Sequence, residues 1–137
     1  MLVSTKGRYA LRIMVDLAQH NDGEYVVLMD IAARQSISEK YLEGIVAQLS
    51  KSGLLAAQRG RGGGYRLSKE PGEITVGEII RCAEGPLAPV ACLKGEENDC
   101  PKADDCLTLP LWEELDQRMN DYLDSVSLSD LLFGRVK

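Results

Sequence analysis

The stretch from residue 30 to residue 67 constrains this chain more than any other. Asp30 opens a short helical pattern with Ile31, Ala32 and Ala33 on its inner side, and Gln35-Ser36 breaks it. Ser38 is a good N-cap for a second helix, and Ser36 with Glu39 has the spacing of a capping box. That helix places Leu42, Ile45, Val46 and Leu49 on one face and stops at Ser52, with Gly53 where a left-handed residue is favoured. Two short strands, Leu54-Leu55-Ala56-Ala57-Gln58-Arg59 and Tyr65-Arg66-Leu67, then flank the turn Gly60-Arg61-Gly62-Gly63-Gly64. Helix, tight turn, helix and hairpin in that order predict a winged helix-turn-helix.

The rest of the chain fits around this unit. Tyr9, Ala10, Ile13, Met14, Leu17 and Ala18 repeat at helical spacing behind the possible caps Ser4 and Thr5. Tyr25-Val26-Val27 reads as a very short strand. Thr75 and Glu78 form a capping box for a helix that buries Val76, Ile79, Ile80 and Ala83 and ends near Gly85-Pro86. Residues 86–107 carry no sustained period. A long helix begins near residues 108–110, with Leu111, Trp112, Leu115, Met119, Tyr122, Leu123 and Val126 along its apolar stripe, and Ser127 with Asp130 caps a last short helix. The expected fold class is therefore mainly α (α+β): a winged helix-turn-helix over residues 1–84 with its wing at about 54–68, a cysteine-rich loop over 85–107, and a dimerisation helix with a short terminal helix over 108–133. That stripe is more apolar surface than so small a core needs, and pairing with its copy in a twofold homodimer would bury it.

Composition closes off several functions. The 137 residues make about one domain, with 45% apolar and 27% charged residues as in ordinary globular chains. No run approaches the ~20 apolar residues of a membrane span, and the start lacks the apolar stretch of a signal peptide, so no membrane partner and a cytoplasmic protein are expected. His20 is the single histidine, which argues against a histidine-rich zinc site and a catalytic His network. No nucleophile–base pair is legible, and the glycine-rich turn lacks the Lys-Ser/Thr of a phosphate loop. An enzyme with a small-molecule substrate is not expected.

The net charge of −5 conceals two halves. Residues 1–69 carry ten Lys/Arg against six Asp/Glu, whereas residues 70–137 carry six against fifteen. A basic half that also holds the helix-turn-helix points to double-stranded DNA. The presumed recognition helix presents Ser38, Lys40, Tyr41 and Glu43 on its first turns. Ser, Lys and Tyr suit phosphate, while Glu43 suits a cytosine amino group or repels phosphate. Arg59, Gly60 and Arg61 stand at the wing tip, where Arg matches the negative potential of a minor groove. Ser4 and Lys6, with Arg8 and Arg12, add backbone contacts at the start of the first helix.

Cys92, Cys100 and Cys106 lie within fifteen residues, while Cys82 stands apart on a helix beside Ile79 and Ile80 and reads as core. Without a secretion signal, four cysteines favour metal or redox chemistry over structural disulfides. The spacing Cys-x7-Cys-x5-Cys lacks the short pairs of zinc sites, while an iron–sulfur cluster accepts wider spacing if a loop wraps it. On spacing alone a cluster, a bare thiol switch and incidental thiols all remain open. The loop ends at a helix N-terminus, which stabilises thiolates.

Several segments together resemble one family. Ser4-Thr5-Lys6-Gly7-Arg8-Tyr9-Ala10-Leu11, residues 38–43, Arg59-Gly60-Arg61-Gly62-Gly63-Gly64-Tyr65, Ala83-Glu84-Gly85-Pro86-Leu87, and Cys106-Leu107-Thr108 with Leu111-Trp112-Glu113 are similar to the Rrf-type winged-helix regulators, and within them to the iron–sulfur cluster regulators. The resemblance runs over about residues 1–133. It implies a homodimeric transcription regulator, mainly a repressor, that senses iron–sulfur status and controls cluster-assembly genes. It implies an iron–sulfur cluster on Cys92, Cys100 and Cys106, a 2Fe-2S cluster first and a 4Fe-4S cluster second, and a discriminating role for the position of Glu43. Related nitric-oxide sensors often carry an acid where Arg8 stands, so Arg8 sides with the cluster regulators.

The chain departs from that pattern in three places. Leu109 stands where the family's fourth ligand, a His, is usual, so the fourth donor must be sought among Asp99, Asp104, Asp105, a loop glutamate, Cys82, His20 or a residue of a second subunit. The first cysteine gap is longer than usual. Gly44 stands where the cluster regulators often carry a longer polar side chain. Relatives without the cysteines, a cysteine-metabolism repressor among them, share the start and the wing, and a cluster-free thiol or cysteine-metabolism repressor is the competing expectation.

Overall fold

The computed structural model describes residues 3–90, 93 and 106–136. Their elements are α1 (Thr5–Gln19), α2 (Leu28–Gln35), α3 (Glu39–Lys51), β1 (Leu55–Gln58), β2 (Gly64–Leu67), a 3-10 turn at Pro71–Glu73, α4 (Val76–Glu84), α5 (Leu109–Ser125) and α6 (Leu128–Leu132). β1 and β2 pair antiparallel, with Leu55 opposite Leu67 and Gln58 opposite Gly64. This is the mainly helical winged arrangement that the sequence predicts.

α1 is the centre of the molecule. Ala10, Ile13, Met14, Leu17 and Ala18 are buried against Ile31 of α2, Leu42, Ile45, Val46 and Leu49 of α3, and Ile79 of α4. These side chains recur every three or four residues, so each helix turns one continuous apolar face inward. Burying each large aliphatic side chain is worth ~1.5–3 kcal/mol, and this layer is aliphatic throughout. α6 closes it from the other end: Leu128 is fully buried and its N–H donates to Ile74 O at 2.8 Å, while Val76 N–H donates to Val126 O at 2.8 Å. The C-terminal helix is thus part of the core that positions the helix-turn-helix.

The helix ends follow their capping chemistry with two revisions. Ser38 caps α3 by accepting from Tyr41 N–H, and Thr75–Glu78 and Ser127–Asp130 both close reciprocal boxes. Ser36 does not pair with Glu39; it ends α2 in the left-handed region at φ 55°. α2 starts at Leu28 rather than Asp30, because the Val27 carbonyl already accepts from Asp30 and Ile31 N–H and no side-chain cap is needed. Ala33 consequently faces solvent, and Ile31 alone of the three expected residues is fully buried. Tyr25-Val26-Val27 contributes one bridge, Val26 with Tyr65, rather than a strand.

α5 is held by one face. Arg81 donates to Asp124 at 2.8 and 2.9 Å and to Asn120 Oδ1 at 2.8 Å. Leu123 packs on the small cluster of Val76, Ile80, Leu87 and Val126. At 100° per residue, Leu111, Leu115 and Tyr122 fall within about 40° of one another on the opposite face. They are 61%, 39% and 48% exposed.

Candidate nucleic-acid interface and cysteine site

The recognition helix is oriented by contacts that reach back to α1 and α2. Ile37 N–H donates to Ala32 O at 3.1 Å, which sets the turn between α2 and α3. The Tyr41 ring meets the Tyr9 ring edge-on, with centroids 5.9 Å apart and planes at 80°. Arg12 lies over the Tyr9 ring, 5.1 Å from its centroid, and donates to Gln35 Oε1 at 3.1 Å. Arg12 is therefore engaged within the molecule, unlike the phosphate-directed role the sequence suggests for it.

Beneath this surface is a feature the sequence reading missed. Asp16 is only 2% exposed. Arg34 grips it from α2 through Nη2 at 2.7 Å and Nε at 3.0 Å, and Gln35 Nε2 adds a third donor at 2.8 Å. Burial alone would raise the Asp16 pKa; the hydrogen bonds from Arg34 and Gln35, with the charges of Arg34 and His20, outweigh it and hold the carboxyl below the usual carboxylate range. His20 sits at the end of α1 with Nδ1 2.8 Å from the Asp16 carbonyl oxygen. The only sequence signal was an acid inside the apolar stripe of α1; its partners lie on α2 and emerge only from packing.

The wing is built from its glycines. Gly60 and Gly62 have φ of 87° and 78°, and Gly63 N–H donates to Gly60 O at 3.0 Å to close the turn. Val26 and Tyr65 exchange backbone hydrogen bonds at 2.8 Å each, and Arg66 donates to Gly23 O at 2.7 Å while covering the Tyr25 ring. The wing base is thus pinned to the segment before α2. Arg59 and Arg61 are exposed at its tip, and among the described residues neither joins an ion pair.

The other expected contact residues are placed as follows. Ser38, Lys40, Tyr41 and Glu43 are all exposed on the first two turns of α3. Lys6 from α1 joins Ser38, Lys40 and Tyr41 around one depression, so four of the expected residues meet there. Ser4 caps α1 by accepting from Gly7 N–H at 3.3 Å, and its own N–H donates to Glu84 Oε1. Cationic side chains in this half fall into two kinds: Arg34 and Arg66 are committed to internal partners, whereas Lys6, Arg8, Lys40, Arg59 and Arg61 have no ion-pair partner among the described residues.

Of the three expected ligands, Cys92 and Cys100 lie outside the described residues, as do Asp99, Asp104 and Asp105. Cys106 is half-buried just before α5, with its Sγ 3.2 Å from Thr108 Oγ1 and its carbonyl accepting from Leu109 N–H at 3.3 Å. The sulfur thus lies beside a hydroxyl, two residues before the N-cap of α5. Leu109 is the first residue of α5 and offers no donor atom. Cys82 lies elsewhere, against the recognition helix: its Sγ is 2.9 Å from Ser52 Oγ, and Gln48 Nε2 donates to its carbonyl at 2.7 Å.

The sequence matches the Rrf2 family, described as iron-dependent transcriptional regulators, over residues 3–133. It is 41% identical over 132 residues to the HTH-type transcriptional regulator IscR of Serratia proteamaculans, covering 96% of this chain and 79% of that protein. The corresponding protein of Pectobacterium atrosepticum is 42% identical over the same shares. Among solved structures, T. potens IscR superposes with a TM-score of 0.77 at 41% identity, over 98% of this chain and 88% of the other. CymR, the global cysteine regulator of B. subtilis, superposes with a TM-score of 0.77 at 39% identity, over 96% of each chain. No helix among the described residues is long and apolar enough to cross a membrane. An exposed helix-turn-helix with uncommitted cations, a glycine wing and these likenesses converge: the chain belongs to the Rrf2 family of transcriptional regulators.

Proposed function

We propose that this protein is a homodimeric, DNA-binding transcription regulator, mainly a repressor, whose operator recognition responds to an iron–sulfur cluster held by Cys92, Cys100 and Cys106. The observation that carries the DNA half is the clustering of Lys6, Ser38, Lys40 and Tyr41 beside the exposed Glu43, with Arg59, Gly60 and Arg61 at the wing tip. Lys and Arg neutralise phosphates, the Ser38 and Tyr41 hydroxyls donate to phosphate oxygens, and Glu43 discriminates at base edges. Ser4 fixes the start of α1 against the duplex. Two copies joined through the Leu111 and Leu115 face of α5 would present their recognition helices to half-sites ~34 Å apart.

The donor set of the loop fits a cluster. Three cysteines within fifteen residues supply the soft thiolates that iron–sulfur centres take, and Cys106 sits at a helix N-terminus beside a hydroxyl. Leu109 leaves the fourth position to another donor. When bound, the cluster supplies an oxygen- and iron-sensitive group that reports on cluster supply. The chain's own part is to tie residues 92–106 to the start of α5, the helix that carries the dimer face. Full switching between two DNA-binding states asks for ~5.5 kcal/mol of differential binding, which metal–thiolate bonding supplies.

A cluster-free, thiol-responsive repressor is the second reading, favoured by Leu109 and by the likeness to CymR. Anaerobic purification with iron and sulfide analysis separates the two. A brown protein that turns colourless when Cys92, Cys100 and Cys106 are replaced by Ala, and changes its preferred DNA sites with it, supports the cluster. A colourless wild type with metal-independent site preferences supports the thiol reading.

A further inference from the structure

The depression shared by α1 and α3 contains a residue whose identity the fold does not explain. Three described glycines lie inside helices. Gly7 is crowded: a Cβ there would meet the Glu84 carboxyl at 2.8 Å. Gly77 is crowded too, since a Cβ would lie 2.0 Å from Asp124 Oδ1. Gly44 is different. It sits in the middle of α3 without a positive φ, it is exposed, and beyond its chain neighbours and the adjacent backbone of α3 no atom of the described residues lies within 4 Å of where its Cβ would be. Neither backbone conformation nor internal packing asks for glycine, yet a helix-interior glycine is less stable than alanine. Nothing among the described residues fills the space that Gly44 leaves.

The surroundings point to an occupant. Gly44 lines a depression of about 500 Å³ together with Lys6, Ser38, Lys40, Tyr41 and Ile45. Lys6 of α1 and Lys40 and Tyr41 of α3 border the same depression, and among the described residues neither lysine has an ion-pair partner. This is the chemistry of a phosphodiester rather than of a base edge, because Lys acts as a point charge for phosphate while base reading asks for paired donors and acceptors. We propose that Gly44 is a positioning residue that lets one DNA strand settle its backbone phosphate against α3, between Lys6 and Lys40. The missing Cβ permits close backbone approach, so both lysines reach the same phosphate and the recognition helix is set at its depth in the groove. The proposal rests on the DNA-binding reading above and adds to it a residue and a depth.

The test is a Gly44→Ala variant of the whole protein, measured beside wild type for thermal unfolding and for binding to a selected operator duplex across a salt series. Alanine should raise the thermal midpoint by about 3 °C, since it is the better helix former and meets nothing within the chain. It should weaken operator binding about tenfold, the loss of roughly one well-formed contact. The salt slope should fall by about one unit and base preferences should stay unchanged at every position. Gly44→Gln should weaken binding further. Operator affinity unchanged or improved in Gly44→Ala overturns the proposal, and so does a shift of base preference at one position with the salt slope intact, which would assign Gly44 to base reading. Failure of the wild type itself to bind duplex is a separate result, and it would refute the function rather than the role of Gly44.

Discussion

Replacing Asp16 by Asn keeps the side-chain shape and removes the charge at the junction of α1 and α2. The carboxylate is buried and accepts three hydrogen bonds at 2.7, 3.0 and 2.8 Å, two of them from Arg34. Removing one partner of a fully buried ion pair costs ~3–5 kcal/mol. Arg34 is 35% exposed, so it regains water when its partner is neutralised and the cost falls to about 2 kcal/mol. For a chain of this size that is a drop of about 6–8 °C in thermal midpoint. Urea unfolding of wild type and variant at matched protein concentration reads the difference, with an unchanged m-value showing that the same surface is exposed. The pH dependence gives a second reading. The folded-state Asp16 pKa lies below its unfolded value, so its contribution is complete above the usual carboxylate range of ~4 and is lost as pH falls through the folded pKa. The stability gap should therefore be constant at neutral pH and close in acid. Equal stabilities at pH 7, or a gap that persists undiminished into strong acid, would refute the assignment of this pair as the joint that holds α2 and α3 on α1.

Three further outcomes follow from the geometry. Arg59→Ala and Arg61→Ala should each weaken DNA binding and lower the salt slope by about one unit per lost phosphate contact, read by fluorescence anisotropy over a salt series; unaltered slopes would take the wing out of the interface. Leu115→Asp should convert dimer to monomer in sedimentation experiments, because it puts a charge on the exposed apolar face of α5 while sparing the opposite face that Arg81 holds; an intact dimer would place the interface elsewhere. Gly64→Ala should destabilise the fold by more than about 1 kcal/mol, since φ is 150° there and a Cβ would lie 2.2 Å from Val26 O; thermal unfolding indistinguishable from wild type would contradict the packing of the wing on residue 26.

Much of this architecture is legible in the chain because the signals are local. Ser38, Thr75 and Ser127 announce their helices through hydroxyls three residues from the N–H groups they satisfy. Gly60 and Gly62 announce the turn through the positive φ it needs. The misreadings share the opposite property. α2 begins two residues early because a backbone carbonyl, which no sequence pattern marks, starts it. The anticipated strand at residues 25–27 shrinks to a bridge because its partner Tyr65 lies far along the chain and pairs with it only at Val26. Asp16 looks like a blemish in an apolar stripe until α2 brings Arg34 and Gln35 to it. At the candidate site, the individual cations were legible from charge, but the meeting of Lys6 with Lys40 and Tyr41 depends on how α1 crosses α3.

The coupling of cluster to operator is tested most directly by one comparison: the dissociation constant for a selected operator duplex, measured without oxygen on cluster-loaded protein and on the same preparation stripped of iron. The proposed function predicts that the two forms differ at least tenfold on one class of site, and that substituting Cys92, Cys100 and Cys106 by Ala reproduces the stripped value. Identical constants for loaded and stripped protein on every selected site would contradict it.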